Sequence, residues 1–269
     1  MTVAEALSGS GIDLSEARLL LCSASGLGRA ALVAHPEAEL GVSAVAAFQE
    51  AVARRRAGEP VAYLLRERGF HGITLRVTPE VLIPRPETEL LVEFALERLP
   101  RGGTLVDLGT GSGAIALAVR AARPDARVTG VDLSPAALGV ARGNAGRLGV
   151  PLELLLGSWF KPVEGRRFDV VVSNPPYVAE GDKHLQEGDL RFEPRGALVS
   201  GPDGLDALKV IAREAALFLR PGGWIAVEHG RGQDAAMRTL LRSGGLESVD
   251  SRPDLAGIAR ISVGQYNPE

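Results

Sequence analysis

The chain has 269 residues, 45% of them hydrophobic, and a formal net charge of -3. This length suits one large domain or a medium domain with a small one, and the acidic balance argues against a nucleic-acid-binding protein with a basic field. A single cysteine, Cys22, excludes a disulfide within the chain and favours a reducing compartment. We see no export signal and no apolar run of about 20 residues, so we expect a cytoplasmic protein without a membrane span.

The first part of the chain, residues 1–57, predicts a small bundle of amphipathic helices. One helix begins after Asp13, which is followed three residues later by Glu16 in a capping-box spacing. A second helix has Ser43 as its candidate N-cap. Residues 58–83 then change to a β-like pattern with glycine and proline turns, which predicts a β-hairpin linker.

From residue 84 to residue 269, short apolar runs alternate with segments of helical spacing. Five runs predict strands at 104–109, 126–133, 152–157, 168–174 and 223–230. Two more strands around a loop near the C-terminus predict a closing hairpin. This alternation predicts an α/β domain of the Rossmann-like kind, with a mainly parallel sheet covered by helices on both faces.

A glycine-rich loop, "VDLGTGSGAIALA", follows the first of these strands. The strand ends in Asp107, and glycines at 109, 111 and 113 allow the backbone to lie against a ligand. Asp132 ends the next strand, where an acid can hold ribose hydroxyls. This pair indicates an adenosine-type cofactor, and the acidic start of the loop favours cationic S-adenosylmethionine (SAM) over a pyrophosphate. A tight strand-to-helix turn without a ligand is the alternative.

A rigid corner, "VVSNPPYVAE", follows the fourth strand at the edge where open α/β sheets bind ligands. An amide nitrogen is a poor nucleophile. Hydrogen-bond acceptors for its N–H groups would orient the nitrogen and increase its electron density. The Asn174 side-chain carbonyl and the Pro175 main-chain carbonyl offer such acceptors, and Tyr177 offers a flat face. The motif therefore predicts methylation of a planar nitrogen without a general base; an ordinary proline-rich turn is the alternative.

The segment "PEVLIPRPETE", residues 79–89, permits two interpretations. Arg85 and Glu87 lie near the mouth of the cofactor or substrate site, or the segment is a domain linker with a helix beginning at Glu87. The four histidines lack metal-ligand spacing, so no metal site is expected.

Seven segments in this order resemble the peptide chain release factor N5-glutamine methyltransferase family (PrmC/HemK): "VLIPRPETE", "DLGTGSGAIALA", "VDLSPAAL", "VVSNPPYV", "RFEPRGAL", "GPDGLDALKVI" and "PGGWIAVEHG". The resemblance is strong from about residue 60 to the C-terminus. It implies a helical N-terminal domain, a β-hairpin linker and a seven-stranded SAM-dependent methyltransferase domain. The implied reaction is methylation of the glutamine amide in the Gly-Gly-Gln motif of bacterial release factors, with the helical domain recognising that partner.

The resemblance also implies roles for individual residues. Those lining the methionine half of SAM would be Asp107, Leu108, Gly109, Thr110 and Gly111. Asp132 would hold the ribose, and Trp159 would flank the adenine. The glutamine amide would be held by Asn174, Pro175, Pro176 and Tyr177, with Arg85 and Glu87 nearby. No contact with nucleic acid is expected, and we expect a monomer.

Two positions depart from the family pattern. Ser158 stands where the family commonly has an acid that is expected to recognise the adenine amine. Arg66 stands where a glycine is usual, so the linker turn is open to a different conformation.

Several rival functions remain open from the sequence. Within the family, the substrate can be a glutamine of a ribosomal protein instead. The N-P-P-Y motif is shared with adenine-N6 methyltransferases of DNA and RNA, although the acidic balance argues against them. The G-x-G-x-G spacing argues against an NAD-dependent oxidoreductase, and the intact N-P-P-Y motif argues against a non-catalytic SAM-binding protein.

Overall fold

The structure is a computed structural model that describes residues 1–268. The chain divides into two compact units. The helical unit is Met1–Glu67 together with His184–Phe192, and the sheet unit is Arg68–Lys183 together with Glu193–Glu269. No helix within residues 1–268 is long and apolar enough to cross a membrane.

Residues 1–67 fold into short helices around a small apolar core that includes Leu20, Leu21 and Phe48. The helices are α1 (Val3–Gly9), α2 (Leu14–Ser25), α3 (Arg29–Ala34), α4 (Val42–Arg56) and α5 (Val61–Leu65). Asp13 caps α2 as expected, because its side chain accepts hydrogen bonds from two main-chain N–H groups of the first turn. The prediction for Ser43 is wrong: Gly41, in an extended conformation, precedes α4, and Ser43 lies inside the first turn.

Glu16 does not complete a capping box with Asp13. Its carboxylate instead accepts two hydrogen bonds from the Arg55 guanidinium, at 2.7 and 2.8 Å. Arg55 also donates to Asp189 at 3.1 Å, in the segment 184–192 that belongs to the helical unit. The basic end of α4 is therefore paired within its own unit.

A two-stranded hairpin follows α5, formed by β1 (Glu67–Phe70) and β2 (Ile73–Arg76). Its two turn residues, His71 and Gly72, both have positive φ angles of 43° and 79°. Two consecutive positive φ angles are typical of the tight turn that matches the twist of paired strands. The hairpin lies inside the segment for which the sequence predicts one.

The sheet unit contains one large mixed sheet. Its strands are β3 (Thr104–Leu108), β4 (Arg127–Asp132), β5 (Glu153–Leu156), β6 (Phe168–Ser173), β7 (Leu219–Glu228), β8 (Glu247–Pro253) and β9 (Ala259–Gln265). Within residues 1–268, these seven strands lie in the order β5-β4-β3-β6-β7-β9-β8. Only β9 runs against its neighbours, pairing antiparallel with both β7 and β8. The predicted parallel sheet with a closing hairpin is confirmed.

Helices cover both faces of this sheet, as the buried apolar runs predict. They are α6 (Glu89–Arg98), α7 (Ala114–Ala122), α8 (Pro135–Leu148), α9 (Asp206–Phe218) and α10 (Asp234–Ser243). Leu91 of α6 and Leu117 of α7 pack in one core cluster, whereas Ile211 of α9 and Met237 of α10 pack in the other.

The strand order reverses beside β3, which pairs with β4 on one side and with β6 on the other. The chain from β3 crosses to β4, and the chain entering β6 arrives from β5 at the sheet edge. Loops leaving β3 and β6 therefore diverge at their carboxyl ends. Such a point in an open α/β sheet is where ligands bind.

Candidate active site

A cavity of about 450 Å³ opens at this point, a size ordinary for a small-molecule site. Its walls are formed by the glycine loop after β3, the turn after β4, the turn after β5 and the corner after β6. Segments 80–84 and 194–197 add further wall residues. Every residue lining the cavity belongs to the sheet unit.

The glycine loop is held against β4 by its own main chain. The N–H groups of Gly109 and Thr110 both donate to the Val131 carbonyl, at 2.8 and 2.9 Å. Gly109 and Gly111 have φ angles of 74° and 56°, which favour glycine. A Cβ atom on Gly109 would lie 3.7 Å from the Trp159 ring, so glycine keeps this part of the cavity open.

Asp107 lies beneath the loop and not on the cavity wall. Its side chain is fully buried, and its Oδ2 accepts hydrogen bonds from Thr110 Oγ1 at 2.6 Å and Ala116 N at 3.3 Å. Its Oδ1 has no hydrogen-bond partner among the described residues, and burial raises the pKa of the carboxyl group to about 7. Leu108 is also fully buried. Neither Asp107 nor Leu108 lines the cavity, contrary to the expectation, because β3 ends below the loop.

Asp132 does line the cavity, at the carboxyl end of β4. Its Oδ2 accepts from Gly111 N and its Oδ1 from Ser134 N, each at 2.8 Å. A carboxylate offers about four lone-pair sites, so each oxygen can still accept a hydroxyl group. The two main-chain bonds fix the carboxylate in a position suited to the ribose of a nucleoside.

Trp159 and Ser158 line the cavity after β5. Trp159 has a φ angle of 46°, an uncommon conformation for a bulky residue. The preceding Gly157 N–H donates to the Asp132 carbonyl at 2.9 Å, which ties this turn to β4. Trp159 therefore forms an aromatic part of the cavity wall, next to the short hydroxyl of Ser158.

Asn174 lines the cavity after β6, and its amide is held by a buried chain of hydrogen bonds. Asn174 Nδ2 donates to Thr88 Oγ1 at 3.0 Å, and Thr88 Oγ1 donates to Glu228 Oε2 at 2.7 Å. The Tyr177 hydroxyl donates to the other carboxylate oxygen of Glu228 at 3.3 Å. Burial raises the pKa of Glu228 to about 7. Sequence reasoning did not single out Thr88 or Glu228, although both stand in quoted motifs.

The remaining predicted residues take different places. Pro176 lines the cavity, and Pro175 is buried beside it without lining it. Tyr177 does not line the cavity either; its ring lies 3.3 Å from where a Cβ atom on Gly230 would stand. Burial, with the nearby Glu228 carboxylate, raises the pKa of the Tyr177 phenol well above its ordinary value.

Arg85 and Glu87 are outside the cavity lining. The Arg85 guanidinium pairs with the Glu193 carboxylate, whose side chain is fully buried, and Glu193 also accepts from Ile83 N at 3.3 Å. A 3₁₀ turn spans Pro86–Thr88, and α6 begins at Glu89. The "PRPET" segment therefore anchors one wall and places Thr88, itself a lining residue, within hydrogen-bond distance of Asn174.

The chemistry of the lining suits SAM. No lysine or arginine lines the cavity among the described residues, so a pyrophosphate would find no compensating charge. Asp132 supplies hydroxyl acceptors, Trp159 supplies an aromatic surface, and the open glycine loop leaves room for a main-chain contact. A cationic nucleoside without phosphate matches these groups.

Comparison with known families divides the chain in two. A model described as PrmC N-terminal domain matches residues 2–65, and one described as Methyltransferase small domain matches residues 86–190. Among solved structures, a methyltransferase from Pyrococcus furiosus has a TM-score of 0.57 and 20% identity, covering 80% of this chain and 98% of its own. A T. thermophilus 16S rRNA methyltransferase in complex with AdoMet and guanosine has a TM-score of 0.57 and 23% identity, covering 75% and 50%. These structures share the fold.

Curated relatives match nearly the whole chain. A release factor glutamine methyltransferase of Burkholderia pseudomallei is 50% identical over 98% of this chain and 96% of its own length. A protein of the same name from Bordetella pertussis is 52% identical over 96% and 97%. The chain therefore belongs to the release factor glutamine methyltransferase family, and it is a SAM-dependent methyltransferase.

Proposed function

We propose that this enzyme methylates the side-chain amide nitrogen (N5) of the glutamine in the Gly-Gly-Gln motif of peptide chain release factors. The observation that carries the proposal is the Asn174 amide. It lies on the cavity wall, and its Oδ1 accepts no hydrogen bond from the described residues. The family supplies the identity of the substrate.

The chemistry needs an oriented amide more than a base. When bound, SAM supplies an electrophilic methyl carbon attached to a sulfonium. Asn174 Oδ1 accepts one N–H of the substrate amide. Although Pro175 itself is buried beside the cavity wall, we propose its main-chain carbonyl as the acceptor of the other N–H. These two bonds aim the nitrogen at the methyl carbon, and orientation of this kind is worth about 7 kcal/mol or more of the barrier.

The reaction balances without a basic side chain. The nitrogen–carbon bond forms as the carbon–sulfur bond breaks, and the methylated amide then loses one proton to water. A protonated amide is a strong acid, so water suffices as the acceptor. Pro176 shapes the wall beside the amide, and Tyr177 stiffens the corner from behind through Glu228.

The cofactor roles follow the walls of the cavity. Gly109, Thr110 and Gly111 hold the methionine half of SAM, Asp132 holds the ribose, and Trp159 flanks the adenine. Asp107 acts from beneath the loop by holding Thr110. Arg85 and Glu87 support the wall on the substrate side.

The helical unit recognises the release factor in this proposal. All cavity-lining residues lie in the sheet unit, which leaves residues 1–67 without a role in the chemistry. We place the reaction in the cytoplasm, with a monomeric enzyme acting on a protein and not on nucleic acid.

The test is intact-mass spectrometry of purified release factor after incubation with this enzyme and SAM, followed by fragmentation. One added methyl group on the Gly-Gly-Gln glutamine is the expected result. A release factor with alanine at that glutamine is the control and should gain no mass. Absence of a methyl group on any release factor, with SAM binding shown separately, would discard the substrate. Glutamine-bearing ribosomal proteins and adenine-bearing nucleic acids would then be tested in its place.

A further inference from the structure

Asn174 has two faces that differ in hydrogen bonding, and only one of them helps the reaction. Its carbonyl oxygen can accept from an amide substrate, whereas its NH2 group would repel the substrate's own N–H bonds. A free asparagine at the end of a loop would sample both orientations. The enzyme therefore needs something to hold the amide one way round.

Two buried residues linked to Asn174 by hydrogen bonds, of which Thr88 also lines the cavity, provide that control. Thr88 and Glu228 are only 3% and 2% exposed, and they connect to Asn174 through bonds of 3.0 and 2.7 Å. An ionised carboxylate can only accept hydrogen bonds. The Thr88 hydroxyl must therefore donate its single proton to Glu228, and its oxygen is left to accept from Asn174. That sequence of donors points Asn174 Nδ2 toward Thr88 and leaves Oδ1 able to accept a hydrogen bond from a substrate.

We propose that Thr88 and Glu228 are positioning residues, a buried relay that fixes the direction of the Asn174 amide so that its carbonyl faces the substrate nitrogen. This inference rests on the proposed function, because it deepens the role of Asn174 in amide methylation. The hydroxyl of Tyr177 donates to the second oxygen of Glu228 and completes the acceptor-only state of that carboxylate.

The order of donors and acceptors in the relay depends on whether Glu228 is protonated. A protonated Glu228 can donate to Thr88, and Thr88 can then donate to Asn174 Oδ1 and turn the amide round. Burial and the nearby Glu87 raise the pKa of Glu228 to about 7, while Thr88, Tyr177 and Arg260 oppose that rise. Arg260 reaches it from β9, and Glu87 from the turn before α6. Activity should fall as the pH drops below about 7.

Steady-state kinetics with release factor provides the first test. Thr88→Val removes the hydroxyl at similar volume and should lower kcat about 10- to 100-fold, with little change in SAM affinity. Thr88→Ser keeps the hydroxyl and should recover most of that loss. Glu228→Gln, which can donate or accept, should lower kcat and flatten its acid limb. Unchanged kcat in Thr88→Val and an unchanged pH profile in Glu228→Gln would overturn the relay.

A matched control separates this effect from a general cost of losing a buried hydroxyl. Thr129 on β4 is 2% exposed and donates to Glu153 at 2.6 Å, outside the cavity lining. Thr129→Val also removes a buried hydroxyl bonded to a carboxylate, here that of the exposed Glu153, and should leave kcat within about 2-fold. An equal loss of kcat in both valine variants would mean a structural role only and would overturn the proposal.

Nuclear magnetic resonance gives a readout that does not depend on the methyl acceptor. The chain has three asparagines, Asn144, Asn174 and Asn267, so 15N-asparagine labelling yields few side-chain amide signals, and Asn174→Ala assigns the relevant pair. That pair should titrate near pH 7 in the wild type and lose the titration in Glu228→Gln. Signals that respond neither to pH nor to Glu228→Gln would overturn the relay, even if release factors are methylated. A titrating pair without methylation would leave the relay standing and discard the substrate.

Discussion

At the scale of single residues, Asp132 ties the nucleoside side of the cavity to the glycine loop. Each of its carboxylate oxygens already accepts one main-chain N–H and retains a lone pair toward the cavity. Asp132→Asn removes the charge and replaces one acceptor with an NH2 group. Hydrogen bonds to a charged group are worth about 2 kcal/mol, so SAM should bind roughly 30-fold more weakly. Isothermal titration calorimetry measures this directly.

The matched control for Asp132→Asn is Asp125→Asn. Asp125 precedes β4 outside the cavity, where it pairs with Arg123, so the same chemical change should leave SAM affinity as in the wild type. Equal affinities for wild type and Asp132→Asn would show that another group holds the ribose.

The sequence predicted Asn174 but not the residues behind it. Asn174 stands in a recognisable motif at the end of a buried strand, and strand ends at this edge carry ligands. Thr88 lies 86 residues before Asn174, and Glu228 lies 140 residues after Thr88. Contacts over such separations depend on which strands become neighbours, and local spacing does not encode that. A buried acid ending an apolar strand, as in "WIAVE", was the available signal.

At the scale of secondary structure elements, the end of α5 stores backbone strain. Arg66 caps this helix with φ 57° and ψ 24°, the left-handed conformation, and its side chain is exposed. That conformation costs a non-glycine residue about 1 kcal/mol, which explains the glycine usual in the family at this position. The turn after α5 therefore keeps the geometry of a glycine cap despite the substitution.

We expect Arg66→Gly to stabilise the protein, because it relieves the left-handed cost at an exposed site. Greater freedom of the unfolded chain offsets part of the gain, so the net increase should be roughly 0.5 kcal/mol, or about 1 to 2 °C in Tm. Circular dichroism during heating measures the shift. Arg66→Ala is the control, since alanine keeps the strain and should give no gain. A shift of equal size in both variants would assign the effect to the arginine side chain.

Element types were easier to predict than their ends. Apolar runs such as 104–109 and 168–174 became β3 and β6 because strands buried on both faces carry few polar residues. The sequence predicts that β7 begins at residue 223 because "RPGG" is typical of a turn, whereas the strand begins at Leu219. Ser43 is not the N-cap because α4 begins directly after extended Gly41, which makes no side-chain capping bond.

At the scale of the whole molecule, the division into units does not follow chain order. Segment 184–192 belongs to the helical unit, although it follows the N-P-P-Y corner within the second half of the chain. Its Asp189 pairs with Arg55, 134 residues earlier, and Arg191 donates to the Ala57 carbonyl. No pattern in the sequence of this segment indicates such a long-range contact. The domains expected from composition are therefore continuous stretches of the chain, whereas the helical unit includes a separate segment.

The sheet unit also carries buried acids whose titration affects its stability. Burial raises the pKa of Glu228 to about 7 from an ordinary value of 4.5, and that of Asp107 likewise to about 7. When the pH lies between the ordinary pKa and the raised pKa, each of these two carboxyl groups keeps its proton in the folded protein and loses it in the unfolded chain. The free energy of unfolding contributed by each group is therefore fully present below its ordinary pKa, 4.5 for Glu228 and 3.8 for Asp107, and falls as the pH rises toward 7. His229, whose pKa is lowered by burial, acts in the opposite direction.

Comparing the wild type with Glu228→Gln isolates one of these groups. Urea unfolding followed by tryptophan fluorescence reports on the sheet unit, because both tryptophans, Trp159 and Trp224, lie there. Between pH 5 and pH 8, the free energy of unfolding of the wild type should fall by up to about 3 kcal/mol relative to that of the variant. The reason is that only the wild type must ionise a buried carboxyl group at this position. His229 and Asp107 are common to both proteins and cancel in the difference. A stability difference that stays constant over this range would show that Glu228 titrates at its ordinary value, and the proton-dependent direction of the relay would then lose its basis.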